Sequence, residues 1–197
     1  MARVDVVYHS GFGHTRRMAE SVARGAGSVE GVQARLLEVG QAIEDLDALD
    51  DADAIIFGCP TYMGNISAEM KRFLEAAARK WAAQAWRDKI AGAFTNSASY
   101  SGDKLNTLLG LVINAMQHGM IYVGTGILPA ANDPESLKRP EGPGPQAHNR
   151  VGSFVGPMGV SFELPPSEAP SQGDLETAEA YGRRVAEITL RFVRGAA

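Results

Sequence analysis

The chain has 197 residues, 45% of them hydrophobic and 21% charged, with a formal net charge of −4. That length fits one domain with a sizeable core, and the composition is that of a globular protein. The mild charge and the absence of a basic face exclude a nucleic-acid binder. No apolar run approaches the roughly 18 residues of a membrane helix, and a lone Cys59 excludes an internal disulfide. Met1-Ala2-Arg3 leads straight into a strand pattern with no signal core, so the expectation is a cytoplasmic protein without membrane insertion.

Val4, Val6 and Val7 predict a first strand. It breaks at Ser10-Gly11-Phe12-Gly13-His14-Thr15, and a helical pattern over 15–26 follows, with Met18, Val22 and Ala26 on one face. A strand that stops at a loop of free backbone N–H groups, where a helix begins, is a seat for an anion. The loop holds no lysine, which suits a phosphate monoester better than a metal-bound triphosphate. A dinucleotide fingerprint would need a third small residue where Arg16 stands, although Glu38 imitates its ribose-binding acid.

Val32 to Val39 predicts a second strand, and an acidic helical turn around Asp45 to Asp51 follows. The run Ala54-Ile55-Ile56-Phe57-Gly58 is apolar throughout, as in a parallel sheet covered on both faces. After it come Cys59, Pro60, Thr61, Tyr62, Met63, Gly64 and Asn65, a stiff turn carrying large surfaces suited to lie against a planar ring. Ser67 is placed to cap the next helix, in which Met70, Phe73, Leu74, Ala77 and Trp81 recur at helical spacing. Ile90 to Thr95 predicts the fourth strand. It opens into Asn96-Ser97-Ala98-Ser99-Tyr100-Ser101, small and hydroxylated, suited to the edge of a heteroaromatic ring. A helix over 102–118 places Leu105, Leu108, Leu109, Val112, Ile113 and Met116 inward, and Met120 to Val123 predicts the fifth strand.

Nine of the ten prolines then fall between Pro129 and Pro170, which marks an insertion at about 128–170. A last helix begins after Pro170, with Ser171 and Asp174 spaced as a capping box and a stripe of Leu175, Ala178, Val185, Ile188 and Phe192. The alternation predicts an α/β fold: one domain over 1–197, a doubly wound five-stranded parallel sheet with helices on both faces. Ligands in such sheets bind beyond the carboxyl ends of the strands, so the three loops share one rim.

These segments resemble the flavodoxin-like FMN proteins, in particular the tryptophan-repressor-binding-protein type of NAD(P)H:quinone oxidoreductase. The resemblance covers most of the chain. It rests on the 10–15 loop, on Pro60 to Asn65, on Lys80-Trp81-Ala82, on His118-Gly119-Met120 and on Pro170-Ser171-Gln172. It implies that the first loop holds the FMN phosphate and that the second and third flank the isoalloxazine. It further implies a histidine beside the flavin, at Gln117 or His118 by spacing. Phe12 and Trp81 would meet the substrate, Trp81 at a neighbouring subunit's site, in a homotetramer. Two departures stand out: Tyr62 replaces the family's usual arginine, and the third loop is poorer in glycine.

The implied activity is hydride transfer from NAD(P)H to FMN, then two electrons to a quinone-like acceptor. An electron-carrying flavodoxin without NAD(P)H activity is the first alternative, although such carriers usually show a more acidic face. A flavin-free interaction protein of the same fold is the second. Ser10 has no evident base partner, and His9, His14, His118 and His148 lack the companions of a metal site. Cys59 reads as a buried small hydrophobe and Trp86 as core. Val151, Phe154, Val155, Met158, Val160 and Phe162 either form an intersubunit patch or fold back on their own sheet. Asn149 to Ser153 is placed to close over the site.

Overall fold

The computed structural model describes residues 1–130, 133–138 and 143–195. Strand β1 (Ala2–Tyr8) is followed by α1 (His14–Gly27), β2 (Val32–Glu38), α2 (Val39–Glu44), a 3-10 turn and β3 (Ala54–Tyr62). Then come β4 (Asn65–Ile66), α3 (Ala68–Ala76), α4 (Ala78–Ala82), β5 (Ile90–Ser97), α5 (Lys104–Gln117), β6 (Ile121–Tyr122), β7 (Met158–Val160) and α6 (Gln172–Gly195). The sheet runs β2-β1-β3-β5-β6 with all these pairs parallel, which is the expected doubly wound five-stranded order. Alternation along the strands sends Val4, Val6 and Ile56 to a core under α1 and α6. Val7, Ile55 and Phe57 enter a second core under α3 and α5.

Two strands were not expected. The third strand runs on through Tyr62 and folds back as a hairpin, with Tyr62 opposite Asn65. Its two-residue turn is Met63-Gly64, both at positive φ (48° and 70°), the backbone such a turn demands. The other addition is β7, which pairs Met158–Val160 with Thr95–Ser97 of β5. β6 covers only Ile90 and Ala91. The proline-rich insertion therefore does not follow a finished fifth strand; it splits the edge strand into two short halves.

At the break β5 lacks a strand partner, and Tyr181 of α6 supplies one. Its buried hydroxyl accepts from Ala93 N–H at 3.1 Å and donates to the Val123 carbonyl at 2.6 Å. Above it Thr95 N–H reaches Pro157 O at 3.0 Å, and below it Val123 N–H reaches Ala91 O at 2.9 Å. The ladder is continuous because a side chain replaces one rung.

Four helical expectations are corrected, on α3, α5 and α6. Of the expected inward set on α5, Leu105, Leu109, Ile113 and Met116 point outward; Lys104, Thr107, Leu108, Leu111 and Ala115 are buried. Polar anchors choose this face: Thr107 Oγ1 accepts from Thr61 Oγ1 at 2.8 Å, and Thr61 pairs with Thr95 Oγ1 at 2.9 Å. Phe192 of α6 is half exposed. Ser67 occupies the N-cap position of α3, but its hydroxyl bonds His9 Nδ1 at 2.8 Å instead of the helix. Ser171 accepts only a long 3.4 Å bond from Asp174 N–H, because the Asp174 carboxylate is taken by Arg150, so the box at α6 is half formed. Glu38, the imitation ribose acid, closes a capping box with Gln41 at α2.

Helices α1 and α6 touch backbone to backbone. A Cβ on Gly25 would lie 1.9 Å from Glu179 O, and one on Gly182 would lie 2.0 Å from Val22 O. A helix-interior Gly→Ala change usually gains about 1 kcal/mol, but overpacking against a fixed carbonyl costs about 1–3 kcal/mol or more. Gly182→Ala is therefore expected to lower stability in urea unfolding; an increase would show that the helices separate freely. Tyr181→Phe leaves Ala93 N–H and Val123 C=O unpaired in the core. It should cost about 1–3 kcal/mol by the same measurement.

Candidate functional site

The carboxyl ends of β1, β3 and β5 meet at one rim, because the register sets Tyr8 beside Gly58 and Pro60 beside Asn96. A cavity of about 500 Å³ opens there, within the size range of small-molecule sites. Its floor and one wall come from the first loop through Ser10, Gly11, Phe12, His14 and Thr15. Pro60, Thr61 and Tyr62 from the end of β3, and Asn96, Ser97 and Ala98 from the end of β5, complete the rim. The three loops singled out in the sequence thus meet at one cavity.

The first loop is built to present donors. Ser10 Oγ accepts from Gly13 N–H and Arg16 N–H, both at 3.1 Å, which coils the loop and leaves the hydroxyl proton free to donate outward. Gly13 sits at φ 93°, directly before α1. The N–H groups of Phe12, His14 and Thr15 have no acceptor among the described residues, and they stand at the positive end of the α1 dipole. No cationic side chain enters this seat. Arg16 is exposed and pairs with Glu20 at 3.1 Å, while Arg17 donates to Pro166 O at 2.5 Å. Ring carbons of Pro166 lie 3.0 and 3.2 Å from where a Gly13 Cβ would stand, so only glycine fits between loop and cover.

That cover is the part the sequence did not assign to the site. Ser161, Glu163, Leu164, Pro165 and Pro166, from the end of the insertion, also line the cavity, with Pro166 packed against Gly13 of the first loop. His14 Nε2 bonds Leu164 O at 2.7 Å, so its imidazole fastens the cover and leaves the anion seat to backbone groups. The insertion also runs along the third loop, with Ser161 N–H to Ser97 O at 3.0 Å and Phe162 N–H to Ala98 O at 2.9 Å. Buried Asn96, with its amide turned to satisfy both ends, accepts from Ser97 N–H and donates to Gly159 O, each at 3.2 Å. No local motif marks these residues; the clustering of prolines is the one signal in the sequence.

Tyr62 stands at the mouth. Its phenol takes a hydrogen bond from Gly11 N–H, and its ring meets Phe12 edge-on at 6.3 Å and His9 at 6.4 Å. Burial raises the Tyr62 phenol and lowers the His9 imidazole, so both are neutral at pH 7. Thr61 contributes its backbone, since its hydroxyl is committed to Thr95 and Thr107.

Other expected site residues lie elsewhere. Met63 is fully exposed at the hairpin tip; Gly64 O accepts from Asn106 Nδ2 at 2.8 Å, and the Asn65 side chain bonds Ile66 N–H. The hairpin carries all three away from the cavity. Ser99, Tyr100 and Ser101 also turn away from it. Tyr100 and Ser101 line a separate cleft with Asp103, Leu105 and Arg150. Arg150 is held by Asp174 through two 2.8 Å bonds and lies 5.4 Å from the Tyr100 ring.

Gln117 and His118 end α5 at the amino end of the sheet, because α5 runs antiparallel to β5 and hands over to β6 beside Ile90. His118 is buried, stacks on Trp86 at 4.5 Å, and is held in the neutral form by burial. Trp81 is half exposed at that same end, next to Lys80 and its partner Asp50. Within one chain none of these three reaches the cavity. Cys59 is buried with its thiol pushed up to about 11, and no group of three or more His, Cys, Asp or Glu among the described residues is arranged to hold a metal. No helix among the described residues is long and apolar enough to cross a membrane.

Residues 41–135 match the family model described as NADPH-dependent FMN reductase. A protein of Pseudomonas aeruginosa named flavodoxin FldP is 41% identical over 95% of this chain and 97% of its own length. A protein of Syntrophobacter fumaroxidans named NAD(P)H dehydrogenase (quinone) is 32% identical over 98% of this chain and 99% of its own. The crystal structure titled a flavodoxin, WrbA-like protein, from Agrobacterium tumefaciens is similar with a TM-score of 0.72. It is 40% identical, over 97% of this chain and 99% of that one. With the cavity where a doubly wound sheet binds ligands and relatives matched end to end, the chain belongs to the flavodoxin-like family of WrbA-type NAD(P)H:quinone oxidoreductases.

Proposed function

We propose that the protein binds FMN in this cavity and uses it to oxidise NAD(P)H with a quinone, giving NAD(P)⁺ and the hydroquinone. The observation that carries the reading is the anion seat of the first loop: three unpartnered N–H groups, one free hydroxyl proton and no cation. That set fits the terminal phosphate of a mononucleotide. Ser10 to Thr15 would hold that phosphate, and Tyr62, Asn96, Ser97 and Ala98 would border the ring. When bound, FMN supplies the acceptance of a hydride and the release of two electrons. The chain's own part is to place, shield and polarise; no side-chain acid or base in the cavity is required. Phe12, exposed at the rim, is the side chain best placed to meet donor and acceptor. The insertion, fastened through His14 and Arg17, acts as a cover over its own chain's site.

A second reading rests on the Pseudomonas relative's name: a flavodoxin that carries electrons without oxidising NAD(P)H. The purified protein should be yellow with FMN, and under anaerobic conditions it should oxidise NADH or NADPH with multiple turnovers when a quinone is supplied. Tight FMN binding with no donor oxidation would establish the carrier instead. Gly13→Val, which forces a side chain into a φ of 93° and against Pro166, should weaken FMN at least tenfold by fluorescence titration. Unchanged affinity would move the phosphate elsewhere.

We also infer a homotetramer in the cytoplasm. Leu105, Leu109, Ile113 and Met116, spaced by four, four and three residues, form an exposed stripe along α5, with Ile113 61% exposed. A stripe of that kind marks contact between copies. Within the insertion Val160 is buried and Val155 and Met158 pack on their own core, leaving Phe154 and Phe162 exposed, which favours α5 over the insertion as the contact. Ile113→Glu should reduce the mass seen by light scattering towards the 20.9 kDa chain. An unaltered mass would take α5 out of the interface.

A further inference from the structure

Lys104, the first residue of α5, is fully buried. Its Nζ donates to Ser97 Oγ at 3.0 Å and to the carbonyl of Ser99. No carboxylate of a described residue lies within ion-pair distance of it. A buried cation held only by neutral oxygens costs stability, because its hydration is lost and no counter-charge replaces it. Desolvation lowers this lysine to about 8, so at neutral pH it keeps its charge. The charged groups facing it are Asp174 at the start of α6 and Arg150 from the insertion, which are paired to each other. On its own loop, Tyr100 lies over Arg150, and Asp103 is exposed.

Ser97 is the link to the site. It lines the cavity, and its hydroxyl accepts from Lys104 while donating to Ser99 O at 3.1 Å. The ammonium therefore stands one hydrogen bond behind the cavity wall. Local backbone economy does not explain it, since the 97–99 turn is already closed by the Ser97 hydroxyl. We propose that Lys104 is a positioning residue that sets the reduction potential of the bound flavin: through Ser97 it places an uncompensated positive charge beside the ring and favours the electron-rich reduced cofactor. This rests on the FMN reading above. At neutral pH the lysine keeps its proton through the cycle; the electrons come from NAD(P)H and leave to the quinone. In the low-dielectric wall such a charge acts more strongly than the same charge in water.

The test compares the affinity of oxidised and reduced FMN for wild type, Lys104→Met and Lys104→Arg, with the midpoint potential measured from pH 6 to 10. In Lys104→Met, reduced FMN should lose at least tenfold more affinity than oxidised FMN, a fall of about 30 mV for a two-electron couple. Lys104→Arg should restore most of it. Burial lowers this lysine, so the charge is present below about pH 8 and lost above it. The wild-type potential should therefore fall more steeply with pH above 8 than that of Lys104→Met. A lysine that merely holds the loop would weaken both redox forms equally and leave the potential unmoved, which overturns the inference. If Lys104→Met does not fold, Lys104→Gln and the wild-type pH series carry the same comparison, and the absence of an extra slope is decisive. A wild-type protein that binds no flavin overturns the underlying reading instead.

Discussion

The open edge of β5 governs much of this structure. A parallel strand buried on both faces must find partners for every N–H and C=O along its free side. β6 satisfies the amino end, β7 the carboxyl end, and the Tyr181 hydroxyl the gap between them. Because β7 is the returning end of a long insertion, satisfying that edge also delivers Ser161 to Pro166 to the rim of the sheet. The cavity is thus a by-product of backbone pairing: the strand that completes the ladder carries the cover with it.

Charge is distributed to match. The Arg150–Asp174 pair is almost wholly buried, and Asp174 also accepts from Val160 N–H at 3.1 Å, so it ties the insertion, β7 and α6 together. Breaking one partner of such a pair leaves a buried charge alone, which is far costlier than the pair itself is stabilising. Asp5 plays a similar part at the other edge, where Arg3 and Arg35 converge on its buried carboxylate. Near the anion seat, by contrast, positive potential comes from backbone groups, and the two adjacent arginines are directed to Glu20 and Pro166. A seat of amides binds a phosphate without the long-range pull of a cationic side chain.

The alternation of strands and helices, the order of the central sheet and the first loop were legible because each depends on neighbours in sequence. Apolar runs mark buried strands, and Ser10 with two glycines marks the turn. What was not legible depends on distant partners. The outward face of α5 looks like core in the sequence, because Leu105, Leu109, Ile113 and Met116 are more apolar than Lys104 and Thr107. The inward face was settled by Ser97, Thr61 and Ser99, residues on other segments. The same holds for the cover: Leu164 and Pro166 meet His14 and Gly13 from about 150 positions away, and no periodicity records such a contact. Gln117 and His118 stand at the far end, where His118 stacks on Trp86, because chain direction rather than motif decides their position.

Splitting the edge strand also bears on how copies of this chain avoid one another. A long, flat, unpaired edge is a template for adding a foreign strand, and proteins blunt such edges by shortening or interrupting them. Here the outer border consists of two residues, a gap filled by a tyrosine, and three residues more. No stretch of it is long enough to seed a continuous intermolecular ladder. The interruption that brings a cover to the rim thereby also removes a strand template from this border, while β2 forms the uninterrupted border on the opposite side.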